Sequence, residues 1–319
     1  MRVNDTTQLM SKLARMRFKN QLIALSLGTL SLASCGEDKS VPKETDTPTS
    51  GVLKMVVDET YKPVIEEEVK VFMSNYPDAK IEVSYKPEAE AIQDYLAGKT
   101  KLIVVSRKLT EKEEQYCLNN KNVPSSLELA KDAVALVCNK DAKDTAFSIL
   151  ELKGIIAGES QKKYTIVFDN AGSSTLRFIT DSVMGGQKTG KNLYAVKGNQ
   201  QVIDYVKKNP EALGFVGLSF VTDTMDSTAE RFSTSIKVAS VYSDTMQEYY
   251  QPYQADIALK HYPLVRKMTY IKNETYQGLA TGFSNFMASD IGQMIMGKER
   301  LVPLRMSIVV REAEINTKK

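Results

Sequence analysis

From residue 51 onward the sequence predicts an α/β fold; one observation predicts it, and length and composition bound it. Short β-rich apolar runs alternate with stretches of helical periodicity, the pattern of parallel βαβ units. The chain has 319 residues, enough for one large or two medium domains with real cores. It is 25% charged and 42% hydrophobic, an ordinary composition that excludes collagen-like, low-complexity and multi-span membrane classes.

The elements follow in order. VLKMVV (52–57) reads as a strand, and PVIEEEVKVFMSNY (63–76) as an amphipathic helix with Val64, Val69, Phe72 and Met73 inward. The run Glu66-Glu67-Glu68 then falls on its solvated face. AKIEVSY (79–85) is a strand, 88–98 a helix ending at Gly98, and KLIVVS (101–106) a strand. Thr110 and Glu113 form a capping-box pattern that opens a helix through Leu118. DAVALVCN (132–139) is a further strand. No repeat of fixed period and no second linker interrupts the chain, so two lobes would have to be made by chain crossovers.

The N-terminus has a different character. Arg15, Arg17 and Lys19 precede a short apolar run, 22–33, which falls short of the roughly 20 residues a membrane span needs. It suits a secretory signal, and Leu32-Ala33-Ser34-Cys35 matches a bacterial lipobox, so Cys35 is the expected lipidation site. Several acyl chains on one cysteine would give stable anchoring. The signal, residues 1–34, carries Arg2, Lys12, Arg15, Arg17 and Lys19 against Asp5, a net of +4. The whole chain is +3, so the mature chain is 3 − 4 = −1. The apparent basicity belongs to the signal, and nothing in the charge points to nucleic acid. Residues 35–50 are polar and Pro/Thr-rich, a tether that reaches up to roughly 50 Å when extended.

The segment 164–184 is a strand, then Gly172-Ser173-Ser174-Thr175, then a helix. Small hydroxyl residues at a helix start bring free N–H groups and the positive dipole end onto an anion. The same pattern also reads as a serine that merely caps the helix.

The wider chain resembles the periplasmic phosphate-binding proteins of ABC importers, as a divergent lipoprotein member. The landmarks appear in order: IVVSRKLT (103–110), AKDAVALVCNKD (130–141), FDNAGSSTLRF (168–178), NPEALGFVGLSF (209–220), HYPLVRKMTYI (261–271) and the closing helix 283–304. The resemblance implies a type II periplasmic-binding-protein-like fold, with two α/β lobes joined by crossover strands and a ligand cleft between. It implies a first lobe of 51–140 plus 244–319 and a second of 141–243. It implies capture of inorganic phosphate or a related oxyanion, delivered to ABC permease and ATPase subunits encoded elsewhere. The protein would be a monomer in the cell envelope, anchored through Cys35 and facing the periplasm or cell exterior, without enzymatic activity, cofactor or metal.

Residue by residue, Ser106 matches the family's ligand serine, Ser173 and Thr175 match the hydroxyls of its anion loop, and Thr60 is a weaker match after the first strand. Three departures stand out. Arg107 replaces the family's Asp, Asp169 replaces the Arg that opens the anion loop, and Lys86-Pro87-Glu88 lacks the family's Gly-Ser-Gly pattern. Ser174 also replaces the middle Gly of the anion loop. The first two departures suggest a charge exchange, with Arg107, or secondarily Arg177, supplying the positive charge and Asp169 or Asp58 the proton acceptor. The expected ligand set is therefore Thr60, Ser106, Arg107, Ser173, Ser174 and Thr175. An envelope sensor or interaction module of the same fold, with lost or changed oxyanion binding, is the alternative. A Ser hydrolase would require His261, the single histidine, beside Ser173 or Ser174. Gly185 to Asn192 resembles a nucleotide P-loop but ends in Asn, where a metal-binding hydroxyl is needed. Cys117 and Cys138 could pair outside the cytoplasm, the other reading being two small buried apolar residues.

Overall fold

The computed structural model describes residues 46–223, 231–232 and 235–306. The signal segment, Cys35 and the tether up to residue 45 lie outside the described residues. Three βαβ-type steps open the fold. β1 (Gly51–Asp58) leads to α1 (Lys62–Asn75), β2 (Ala79–Lys86) to α2 (Glu88–Leu96), and β3 (Leu102–Val105) to α3 (Glu111–Asn119). The long β4 (Ser125–Cys138) and α4 (Ile149–Ala157) follow. Next come β5 (Thr165–Phe168), α5 (Ser174–Phe178), β6 (Leu193–Ala195), α6 (Asn199–Lys208) and β7 (Ala212–Gly217). The chain returns through β8 (Val265–Lys272) to α7 (Leu279–Ala288), α8 (Asp290–Lys298) and a short strand, Val302–Pro303.

The main sheet runs β2-β1-β3-β8-β4-β7-β5-β6. It contains two parallel groups, β2-β1-β3 and β7-β5-β6, joined by the antiparallel strands β8 and β4. The inner strands of these groups are covered on both faces and read as apolar runs, LIVV in β3 and IVF in β5, whereas the edge strand β2 alternates, with Lys80 exposed. Alternation along β3 sends Leu102 and Val104 into one core, with Phe72 and Phe283, and Ile103 and Val105 into another, with Ala91, Tyr95 and Cys117. β4 passes between cores. Its Leu129 and Ala130 belong to the α1–α7 core, and its residues 133–138 to the core built on β5, β7, α4 and α6. Asp132 sits at that passage, opposite Arg266 of β8 in the antiparallel register.

Local sequence explains most boundaries. Thr110 and Glu113 close a reciprocal capping box at the start of α3, and Ser148 and Glu151 do the same for α4. Cys117 and Cys138 are both free and buried. Three expectations are corrected. β4 begins at Ser125 rather than 132, because residues 125–131 extend the ladder against β8. The helix after the anion loop ends at Phe178 and continues as a π-turn, Ile179–Val183. Glu68 is not on a solvated face: it is fully buried, with neither carboxylate oxygen hydrogen-bonded.

Residues 46–50, the last part of the segment read as tether, are seated on the domain. Asp46 accepts hydrogen bonds from Tyr276 Oη and from the Leu279 N–H at the start of α7. Pro48 lies so close to Gly282 of α7 that a Cβ there would overlap the Pro48 carbonyl.

Candidate functional site

The carboxyl ends of β1, β3, β5 and β7 converge on one buried polar cluster, the position where open parallel sheets present their ligand sites. β1 contributes Asp58 and the turn after it Thr60. β3 contributes Ser106, the loop after β5 contributes Asp169, Ser173, Ser174 and Thr175, and β7 ends at Gly217. The crossover strands add Asp132 and Arg266, and α2 begins with Glu88.

Arg266 is the centre of the cluster. Its side chain is only 2% exposed, and its Nε donates to Asp132 Oδ2 at 2.8 Å. Nη1 donates to Ser174 Oγ at 2.9 Å and to Thr175 Oγ1 at 3.4 Å. Nη2 has no hydrogen-bond partner, and the guanidinium lies 5.5 Å from the Tyr61 ring centroid. Burial opposes its charge, but Tyr61, Asp132 and Asp58 outweigh that effect and keep its pKa above the ordinary arginine value.

Around this guanidinium the hydroxyls form a chain. Thr60 donates its N–H and its hydroxyl to Asp58 Oδ1 at 3.1 and 3.0 Å. Thr60 Oγ1 lies 3.3 Å from Ser174 Oγ, which in turn accepts from Arg266. Asp58 Oδ2 has no partner. Burial pushes the Asp58 carboxyl up to about 7, and the negative charges of Glu88 and Asp169 push the same way while Arg266 pulls against them. Asp169 is likewise raised by burial. Its Oδ2 accepts from Asn199 Nδ2 at 3.2 Å, and Asn199 Oδ1 accepts from the Gly217 N–H at 3.0 Å.

A second arm adjoins the first. Glu88 Oε1 accepts from both the N–H and the hydroxyl of Ser106 at 2.8 Å. Its Oε2 accepts from Arg177 Nε at 2.6 Å, and Arg177 Nη2 donates to Ser106 Oγ at 2.7 Å. The start of α2 also touches the anion loop directly, through Ala89 N–H and the Gly172 carbonyl at 3.2 Å.

The structure thus brings Thr60, Ser174 and Thr175 together around Arg266, and Ser106 around Glu88 and Arg177. Ser173 stands at the same loop as the cap of α5, accepting from the Leu176 N–H at 3.1 Å. Arg107, next to Ser106, has its guanidinium engaged by other partners: it makes a two-pronged pair with Glu113 at 2.7 and 2.9 Å, and Nη1 also bonds the Lys108 carbonyl. His261 bonds Asp256 at 3.2 Å and packs on Tyr250, so its ring is engaged away from Ser173 and Ser174. Sequence reasoning missed Arg266, Asp132, Glu88 and Asn199. Arg266 lies inside the quoted HYPLVRKMTYI landmark, as a cation amid strand-forming apolar residues, and that was the available signal. Among the described residues no group of three or more His, Cys, Asp or Glu is arranged to hold a metal, and no helix is long and apolar enough to cross a membrane.

Two parallel α/β halves joined by antiparallel crossovers, with polar strand ends meeting between them, define a type II periplasmic-binding-protein fold. Comparison with known proteins agrees. A family model described as a PBP superfamily domain matches residues 42–290, and the chain belongs to that superfamily. The phosphate-binding protein PstS of Staphylococcus epidermidis is 25% identical over 254 residues, covering 73% of each chain. A Clostridium perfringens substrate-binding protein solved with bound phosphate superposes with a TM-score of 0.67 at 21% identity, covering 80% of this chain and all of its own. The ABC-type phosphate transport receptor of Vibrio cholerae superposes at 0.61 and 20% identity, covering 78% and 99%.

Proposed function

We propose that this chain is the lipid-anchored, extracytoplasmic solute-binding component of an ABC importer, and that it captures phosphate or a similar tetrahedral oxyanion. The observation that carries the reading is Arg266: a fully buried guanidinium with an unengaged Nη2, flanked by the hydroxyls of Thr60, Ser174 and Thr175 and by the unpartnered Asp58 Oδ2. Such a set offers charge-assisted donors to oxyanion oxygens and one acceptor to a protonated oxygen. A buried charge that keeps an open donor is costly unless a ligand engages it. The relatives, a phosphate-binding protein and a phosphate transport receptor, support the same ligand class.

In this reading the residues 51–140 plus 244–319 and the residues 141–243 move as two lobes of a monomer, closing on the ligand about β4 and β8. The permease and ATPase subunits are separate chains, and Cys35 carries the lipid. Isothermal titration of the purified protein with phosphate, sulfate, molybdate and phosphonates tests the ligand. Saturable binding of at least one tetrahedral oxyanion, lost in Arg266→Met, is expected. Absence of binding by all of them would refute the reading and leave an interaction module of the same fold. Metabolic labelling with a radioactive fatty acid tests the anchor, and equal label in Cys35→Ser would refute it.

A further inference from the structure

We propose that the Glu88 carboxylate is a built-in occupant of an oxyanion subsite formed by Ser106 and Arg177, and that it sets the specificity of the cleft by excluding a ligand oxyanion from that arm. The inference rests on the ligand reading above and goes one step further. It assigns a role to a residue that lies where the sequence departs from the related binding proteins.

The geometry is that of recognition. A backbone N–H and a hydroxyl of Ser106 and the Nε of Arg177 all aim at one carboxylate, at 2.6–2.8 Å. Arg177 Nη2 ties the two donor residues together through Ser106 Oγ. Charge-assisted contacts of this length are those that a protein offers to a bound carboxylate or phosphate. Here the chain supplies the anion from the first residue of α2, with the Glu88 side chain 3% exposed and that of Arg177 32% exposed. Burial alone would raise the Glu88 pKa, but the hydrogen bond and charge of Arg177 and the bonds from Ser106 hold it below the usual carboxylate range. Glu88 therefore stays ionised, and its charge reaches Asp58 of the Arg266 arm, whose proton affinity it increases.

Two consequences follow. Ser106 is committed to Glu88, so a ligand in the wild-type cleft is held by the Arg266 arm. A fixed negative charge beside that arm also weakens binding of any anion there, because like charges repel strongly in a dry site. Removing the carboxylate should release three donors and relieve the repulsion.

The test uses the full-length chain as wild type, Glu88→Ala and Glu88→Gln, each checked for native circular dichroism. In Glu88→Ala, formate and acetate should each raise the melting temperature, while leaving wild type unmoved, because they refill the vacated subsite. Phosphate affinity by titration calorimetry should rise at least tenfold in Glu88→Ala, and by less in Glu88→Gln, whose isosteric amide preserves packing if Ala does not fold. A folded Glu88→Ala that responds to neither formate nor acetate, or a Glu88→Gln with unchanged or weaker phosphate binding, would overturn the inference and make Glu88 a structural pair. If wild type binds phosphate and the variants gain nothing, only this inference falls. If neither wild type nor variant binds any oxyanion, the ligand reading falls with it.

Discussion

Replacing Arg266 by Met should do two separable things. The side chain is 2% exposed and Asp132, its partner at 2.8 Å, is 1% exposed, so the pair is wholly inside the protein. Truncating one member of a buried pair leaves an uncompensated charge and costs about 3–5 kcal/mol. At roughly 2–4 °C per kcal/mol for a domain of this size, the melting temperature should fall by about 6–20 °C. The cost should shrink on acidification, since Asp132 without its cation can shed its charge only by holding a proton. The double variant Arg266→Met/Asp132→Leu should recover most of the loss, because an apolar pair of similar volume is often no worse than a buried ion pair. Phosphate binding should stay absent in both. Thermal melts of wild type, both single variants (Arg266→Met and Asp132→Leu) and the double variant at pH 5 and 8, with calorimetric titrations, check the cycle. A single variant within about 2 °C of wild type, or a double variant that binds phosphate, would refute the placement of Arg266 at the centre of the site.

The other predictions are simpler. Glu68 is buried without partners and pushed up to about 9. The folded state therefore holds a proton that the unfolded chain loses near its ordinary value, and stability should fall as pH rises between about 4.5 and 9, by roughly 1.4 kcal/mol per unit. Urea melts of Glu68→Gln should show this slope flattened, and an unchanged slope would contradict it. Asp58→Asn removes the acceptor for a protonated oxygen and should weaken phosphate binding about tenfold or more while sparing sulfate, a loss consistent with one charged hydrogen bond. Gly217→Ala would drive a Cβ into Thr60 Cγ2 and toward Arg266, so ligand affinity should drop even where the melting temperature holds. Arg107→Ala breaks a partly exposed pair with Glu113 and should cost at most about 1 kcal/mol, with phosphate affinity unchanged.

Much of the fold was legible because local signals agreed with the global one. Short β-rich runs gave β1, β2 and β3 within a residue or two, and the Thr110–Glu113 box fixed the start of α3. β4 was less legible. Its first half, SSLELAK, has weak strand character, and it becomes a strand through pairing with β8, 136 to 147 residues later in the chain, and with the short strand Val302–Pro303. Glu68 shows the limit of reading charge as exposure, since helical phase rather than residue type put it inside. In the site, hydroxyls next to a recognisable turn were visible as local motifs. Arg266 and Asp132 were not, because their meaning arises from antiparallel register between strands distant in sequence.

The charge exchange suggested by Arg107 and Asp169 has a different form in three dimensions. A compensating swap requires the two groups to share one ligand or each other. Instead each has a partner of its own: Arg107 forks with Glu113, and Asp169 accepts one hydrogen bond from Asn199. The positive charge comes from a crossover strand, through Arg266, and a second guanidinium, Arg177, is already balanced by Glu88. Against these two cations stand the carboxylates of Asp58, Glu88, Asp132 and Asp169, an excess of negative groups in a buried place. Burial opposes that excess by raising the proton affinity of Asp58 and of Asp169. An anion entering such a site does best when it brings hydrogen of its own, or when it lets Asp58 donate one. If the cluster binds an oxyanion as proposed, the raised proton affinity of Asp58 should weigh in ligand choice beside the count of donors. Asp58 and Glu88, one on each arm, are then the residues where altered specificity should first appear.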